Sequence, residues 1–231
     1  SNLSHLSSAA LMDPYYSIPT ILNDNKSKGL IITLEDHDFI ETKKGRYSRN
    51  INNWSVEKKE IFWKSIWDFT NIVGEYNDPV IINENDFINS KFFVNSKLNY
   101  AKNIIKKNNH DSAIVFYSEQ NHYRKISWSD LKTNVNKFAN YLKKQGVKKG
   151  DRIGAVLPNI PETIVAFLSS AKIGAIWSSC SPDFGIKGVL DRFSQIEPKV
   201  IISSDGYYFK GKYFSSIEKI ESIVKEIPSI E

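Results

Sequence analysis

Lys210 and Lys212, set one on each side of Gly211, are the residues of this 231-residue sequence best suited to hold a phosphate. The glycine lets backbone approach an anion closely, and the two ammonium groups supply charge and donors. They close the segment Asp205 to Lys212, which follows the apolar run Val200-Ile201-Ile202. A loop at the carboxyl end of a strand is therefore expected there, and such loops carry function more often than the elements they join. A hydrated surface turn is the competing reading of the same residues. Other chemically capable residues are dispersed. His5, His37, His110 and His122 fall in no HxxxH or HExxH pattern and one cysteine allows no CxxC, so no metal site is expected. Glu35-Asp36-His37-Asp38 reads as a solvated turn rather than a cation site. Cys180 follows a strand pattern, where a nucleophile could stand. No histidine lies near it in sequence to activate it, so it reads as a structural thiol. With no Walker loop and no GxGxxG either, no catalytic residue is assigned.

Composition narrows the class. Hydrophobic residues make up 41% and charged residues 25%, ordinary for a globular protein. The net charge of +5 comes from scattered lysines without an arginine-rich arm; small anionic ligands explain it equally well, and no nucleic-acid partner is expected. No eighteen-residue apolar run exists to span a membrane. The lone cysteine excludes an internal disulfide and fits a reducing, cytoplasmic setting. The start Ser1-Asn2 carries no secretory pattern and suggests a tag scar or a trimmed beginning.

Three zones must position these residues. Residues 1–53 are polar and mixed, with one short strand-like run, Leu30 to Leu34. Residues 54–110 open with a helix for which Ser55 is the expected N-cap and Glu57 the first-turn acid. Phe62, Trp63, Ile66 and Trp67 give it an aromatic face suited to docking. Irregular chain follows, anchored by Phe92, Phe93, Leu98 and Tyr100, with a basic turn at Lys106 and Lys107.

From residue 111 the rhythm is α/β. A hairpin is expected from Ala113–Tyr117 and Tyr123–Ser127. Ser127 and Asp130 then begin a helix whose core face is Leu131, Val135, Phe138, Ala139 and Leu142, and Gly146 ends it. Strands at Ile153–Leu157, Ala175–Ser179 and Val200–Ile202 alternate with helices at Glu162–Ile173, Lys187–Ile196 and around Ile217. Asn159 is placed to satisfy amides at a helix start, and Asp191-Arg192 to pair locally. Short apolar strands alternating with longer helices predict part of a doubly wound, mostly parallel sheet behind a helical and irregular extension. Ligands of such sheets collect beyond the strands' carboxyl ends, here Pro158-Asn159, Ser178 to Gly185 and Asp205 to Lys212.

Several stretches carry a family resemblance: Gly150-Asp151-Arg152, Leu157-Pro158-Asn159-Ile160-Pro161-Glu162, the run Ile176 to Gly185, and Val189 to Lys199. Together with Trp54-Ser55-Val56, Phe62-Trp63 and Ile66 to Phe69, they resemble the adenylate-forming acyl-CoA synthetases, within them the acetoacetyl-CoA synthetase (acetoacetate–CoA ligase) branch. The match covers about residues 54 to 214 and is most specific in IWSSCSPDFG and VLDRFSQIEPK. The resemblance implies the first part of an AMP-binding α/β domain (111–231), preceded by the synthetase-type extension (54–110) and the polar segment (1–53). It implies a ligase of lipid metabolism using ATP, CoA and Mg²⁺, with acetoacetate or a similar short acid as substrate. It also implies that Lys212, and Lys210 one place off the family position filled by Phe209, meet the 3′-phosphate of CoA. The family's phosphate loop and late lysine are not found here, so this chain is expected to be inactive alone. A ligase for another short acid, and a non-catalytic module binding CoA or a partner, remain open. Self-association through an open strand edge or the Trp63 and Trp67 face is also expected.

Overall fold

In the computed structural model of the chain, the described residues are 48–120 and 122–231, with side chains described from Asn52 onward. The strand expected at Leu30 to Leu34 and the acidic turn Glu35 to Asp38 lie outside them. Apart from the first residues of the first helix, the features below belong to the unit Trp54–Glu231.

The helix expected from Ser55 is two helices, α1 (Ser48–Glu57) and α2 (Lys59–Phe69). Ser55 lies inside α1, seven residues past its first residue. The break falls at Lys58, whose φ of −126° and ψ of 52° leave the helical region. Glu60, not Glu57, is the first-turn acid of α2. The aromatic face does dock: Trp67 is buried, with ring centroids 5.1 Å from Phe93 and 5.7 Å from Tyr76. Trp63 meets Phe92 edge-on at 5.5 Å. Phe62 and Trp67 of that face are buried, and Trp63 is half-buried.

Its platform is made of two small antiparallel sheets, β1 (Gly74–Glu75) with β4 (Lys97–Leu98) and β2 (Ile81–Ile82) with β3 (Lys91–Phe92). Phe92, Leu98 and Tyr100 are more exposed than anchors should be, and burial falls instead on Val80, Ile81, Ala101 and Ile105. The last two follow from α3 (Tyr100–Ile104), which is capped by the Asn99 side chain accepting from Lys102 N–H. Lys106 from the basic turn donates to the carbonyl oxygens of Thr70 and Asn71, closing the C-terminal end of α2.

The expected hairpin forms, β5 (Ser112–Tyr117) against β6 (Tyr123–Ser127), with an irregularity between Ser112 and Ile114. Helix α4 (Trp128–Lys144) starts at Ser127, whose Oγ accepts from Asp130 N–H at 3.1 Å and donates to the Asp130 carboxylate at 2.7 Å. Leu131, Val135, Ala139 and Leu142 are buried, and Gly146 takes φ +81°, a conformation only glycine adopts cheaply. Leu131 and Val135 share a core with Ala101, Ile105 and Leu168, which joins the extension to the α/β region.

The central sheet is parallel with strand order β8-β7-β9: β7 (Arg152–Val156) in the middle, β8 (Ile176–Cys180) and β9 (Val200–Ser203) beside it. Helix α5 (Pro161–Ile173) joins β7 to β8, and α6 (Ile186–Ile196) returns from β8 to β9. The chain steps one way and then back past β7. Right-handed crossovers in opposite directions put the two helices on opposite faces. The cores record this. Ile153, Trp177, Val200 and Ile202 pack with α4 and α5, whereas Val156, Cys180 and Ile201 pack with α6 and α7 (Ile217–Glu226). Alternation along each strand separates the two sets. Gly154 faces the buried ring of Phe193 so closely that an added Cβ would lie 3.0 Å from it. The outer edges of β8 and β9 have no strand partner among the described residues.

Candidate functional site

The connection leaving β7 goes to one face of the sheet, and those leaving β8 and β9 go to the other. The carboxyl ends of the three strands therefore lie where the connections diverge to opposite faces, the position at which ligands of such sheets collect. Leu157 N–H still bonds to the Cys180 carbonyl at 3.3 Å, and Ser203 Oγ donates to the Val156 carbonyl at 3.1 Å, so the three strand ends are tied together. Beyond β7, the N-cap of α5 is Ile160 and no side chain caps it, so Asn159 does not play the expected part. Thr163 bridges the turn instead, Oγ1 donating to the Pro158 carbonyl at 2.7 Å. Proline at the first helical position removes one amide that would need a partner.

The loop after β8, Ser181 to Gly185, is braced internally and gripped from two helices. Ser181 Oγ donates to the Asp183 carboxylate at 3.0 Å and accepts from Asp183 N–H at 3.3 Å. Lys219 on α7 donates to the Pro182 and Phe184 carbonyls. Arg192 on α6 lies over the Phe184 ring at 4.2 Å and donates to the Gly188 carbonyl at 2.7 Å. Arg192 thus stacks and caps within its helix, where a pair with Asp191 was expected; successive helical residues point in different directions. Cys180 sits at the end of β8, and burial pushes its thiol pKa up, with Arg192 and Lys219 opposing. The thiolate fraction at neutral pH is therefore below that of an ordinary thiol. We expect iodoacetamide to alkylate Cys180 several-fold more slowly than free cysteine at pH 7, with the rate climbing as pH rises. A rate equal to that of free cysteine at pH 7 would contradict this assignment.

After β9 comes the segment with the two lysines, and it is not a loop. It is an antiparallel hairpin, β10 (Gly206–Phe209) with β11 (Lys212–Ser215), pairing Phe209 with Lys212 across a two-residue turn. Lys210 and Gly211 form that turn at φ +50° and +74°. Two successive positive φ values make the primed turn whose twist suits a hairpin. Lys210 occupies the turn and Lys212 opens β11, and both are exposed. Lys210 Nζ lies 5.3 Å from the centroid of its neighbour Phe209. Among the described residues neither lysine forms an ion pair. The turn amide of Gly211 donates at 3.1 Å to the carboxylate of Glu119, at the tip of the β5–β6 hairpin. The tip thus carries a backbone amide held by a carboxylate, and two exposed lysines.

The hairpin's base lies near the loop after β8, with Lys219 Nζ 6.0 Å from the centroid of the Tyr207 ring. Burial, with the Asp183 carboxylate nearby, pushes the Tyr207 phenol pKa up. Ser216 N–H donates to the Asp205 carbonyl at 2.7 Å. Sequence reasoning missed Tyr207, Lys219 and Glu119. The first two lie in segments whose periodicity only marks a strand or helix, and Glu119 lies 92 positions from its partner. The signal for the hairpin was present: a lysine-glycine pair between Tyr207-Tyr208-Phe209 and Tyr213-Phe214. Among the described residues no group of three or more His, Cys, Asp or Glu side chains is arranged to hold a metal ion, and no helix is long and apolar enough to cross a membrane.

The family described as AMP-binding enzyme matches residues 102–230, more than half the chain. An acetoacetyl-coenzyme A synthetase of Rhizobium meliloti is 36% identical over 196 residues, 82% of this chain and 30% of the relative. An acetoacetyl-CoA synthetase of Xenopus tropicalis is 39% identical over 182 residues, 77% of this chain and 27% of the relative. In three dimensions, the acetoacetyl-CoA synthetase from Streptomyces lividans superposes with a TM-score of 0.75 at 31% identity, over 82% of this chain and 30% of that one. The chain thus spans about a third or less of the length of these relatives.

Proposed function

Because this chain belongs to the AMP-binding enzyme family, we infer that the protein carrying it is an ATP-dependent acetoacetate–CoA ligase. The observation that carries this reading is the joint agreement of sequence and fold with proteins bearing that name, across about four fifths of the chain. In the reaction, an acetoacetate carboxylate oxygen attacks the α-phosphorus of ATP and pyrophosphate leaves. The CoA thiol, losing its proton, then attacks the acyl carbon and AMP departs with the bonding electron pair. Such chemistry needs Mg²⁺ and positioned cations on the phosphates. No described residue is assigned to the metal.

Within the chain, we assign Lys210 and Lys212 to the 3′-phosphate of CoA. The primed turn, its central amide and the two unpaired ammonium groups support this, since a phosphate monoester offers three acceptor oxygens and up to two charges. We place the activity in the cytoplasm and in lipid metabolism. The test uses a protein of the relatives' full length. Acetoacetate should drive ATP–pyrophosphate exchange faster than acetate or butanoate. A preference for another short acid would overturn the substrate, and no exchange with any short acid would overturn the ligase reading.

A further inference from the structure

The contact most in need of a functional account lies between two hairpin tips. Glu119 Oε2 accepts from the Gly211 N–H at 3.1 Å, in the middle of the Lys210-Gly211-Lys212 turn. That amide is the backbone donor an incoming phosphate would use. An anion of the chain itself already holds it. The carboxylate does so without neutralising either lysine, because neither makes an ion pair among the described residues. The turn therefore accepts a singly charged group through its backbone while leaving its two ammonium charges available for a stronger anion.

Glu119 is held within reach rather than drifting. Arg124 on the same hairpin makes a bidentate pair with Glu162 at the start of α5, at 2.7 and 2.8 Å. The bond holds the Glu162 carboxyl below its usual range and the guanidinium above its own. Paired oxygens and nitrogens in parallel fix orientation as well as distance. Ser118 N–H closes the tip on the His122 carbonyl at 3.0 Å. Arg124 and Ser118 thus define where the Glu119 backbone stands, and its side chain spans the remaining gap.

We propose that Glu119 is an internal competitor for the phosphate ligand of Lys210 and Lys212, holding the Gly211 amide in the free chain and yielding it when the phosphate binds. This rests on the CoA assignment above. The apparent affinity for the phosphate is lowered by the fraction of time the amide is occupied. The thioester product carries the same 3′-phosphate as CoA, so a returning carboxylate also hastens product release. The device keeps a strongly charged subsite from retaining its ligand.

The experiment measures binding of adenosine 3′,5′-bisphosphate and of 5′-AMP, which lacks the 3′-phosphate, to the 231-residue chain by calorimetry. Glu119→Ala, which removes the acceptor, should tighten the bisphosphate about three- to tenfold, as expected if the amide is free for a tenth to a third of the time, and leave AMP within about twofold. Glu119→Asp keeps the charge but shortens the reach, and should tighten the bisphosphate in the same direction. Tightening by Glu119→Ala alone would assign the effect to net charge and overturn the competition. No tightening by either variant, with Lys212→Glu still selectively weakening the bisphosphate, would overturn the competition and leave the CoA assignment standing. Lys212→Glu with no effect on either ligand would remove both.

Discussion

Reversing the charge of Lys212 should weaken CoA binding by about ten- to a hundredfold in a protein of the relatives' full length. A lysine–phosphate contact at an exposed site contributes about 1–2 kcal/mol, and replacing attraction by repulsion enlarges the change. The specific signature lies in the pattern across substrates. The adenylation half-reaction, followed by acetoacetate-dependent pyrophosphate exchange, does not involve CoA and should stay nearly constant. Dephospho-CoA has no 3′-phosphate and should bind the Lys212→Glu variant and the parent equally. Lys212 opens a strand in a short hairpin with its side chain exposed, so the substitution does not disturb the fold. Equal losses for CoA and dephospho-CoA, or a parallel fall in both half-reactions, would return the hairpin to a hydrated surface feature.

Phe193→Ala should remove about 3–5 kcal/mol of stability, the usual cost of emptying an aromatic site in a closed core. The ring is fully buried on the inner face of α6 and shares its core with Val156, Val189, Ile223 and Ile227. It also lies over Gly154 of the central strand, where the sheet has no side chain to fill the space left behind. Urea unfolding should show a lower midpoint with an unchanged slope, because the surface exposed on unfolding hardly changes. Phe87 supplies the contrast: the same residue type, 98% exposed, at which alanine should change stability by less than about 0.5 kcal/mol. A Phe193→Ala midpoint as close to the parent as that of Phe87→Ala would mean that α6 is not the lid of this core.

Part of this architecture is legible residue by residue because its causes are local. Helix α4 begins at a serine with an acid three residues on, buries one face at helical spacing and stops at a glycine with positive φ. Helix α5 is bracketed by Pro161 and Gly174 for equally short-range reasons. The β5–β6 hairpin and the three parallel strands were readable from runs of apolar β-formers between turn residues, within a residue or two at their ends. The candidate lysines could be picked out for the same reason: residue type and spacing alone make the turn suited to a phosphate.

Where the reading failed, the competing interaction came from elsewhere in the chain or from backbone geometry that composition does not encode. Ser55 looked like a cap, but the helix break fell at Lys58. Asp191 and Arg192 are neighbours in sequence, yet the guanidinium is drawn to the ring of Phe184, which α6 and the preceding loop bring together. The order β8-β7-β9 depends on the direction of two crossovers, and strand composition is silent about direction. The Glu119–Gly211 bond and the Lys219 grip on the loop after β8 join segments with no shared period. Sequence by itself determined the hairpin, helices and parallel strands from residue 112 to 203, the family, and the lysine pair flanking a glycine. Only the tertiary structure decided that this turn is a primed hairpin facing a carboxylate, because packing of distant elements, and no local pattern, sets which groups meet there.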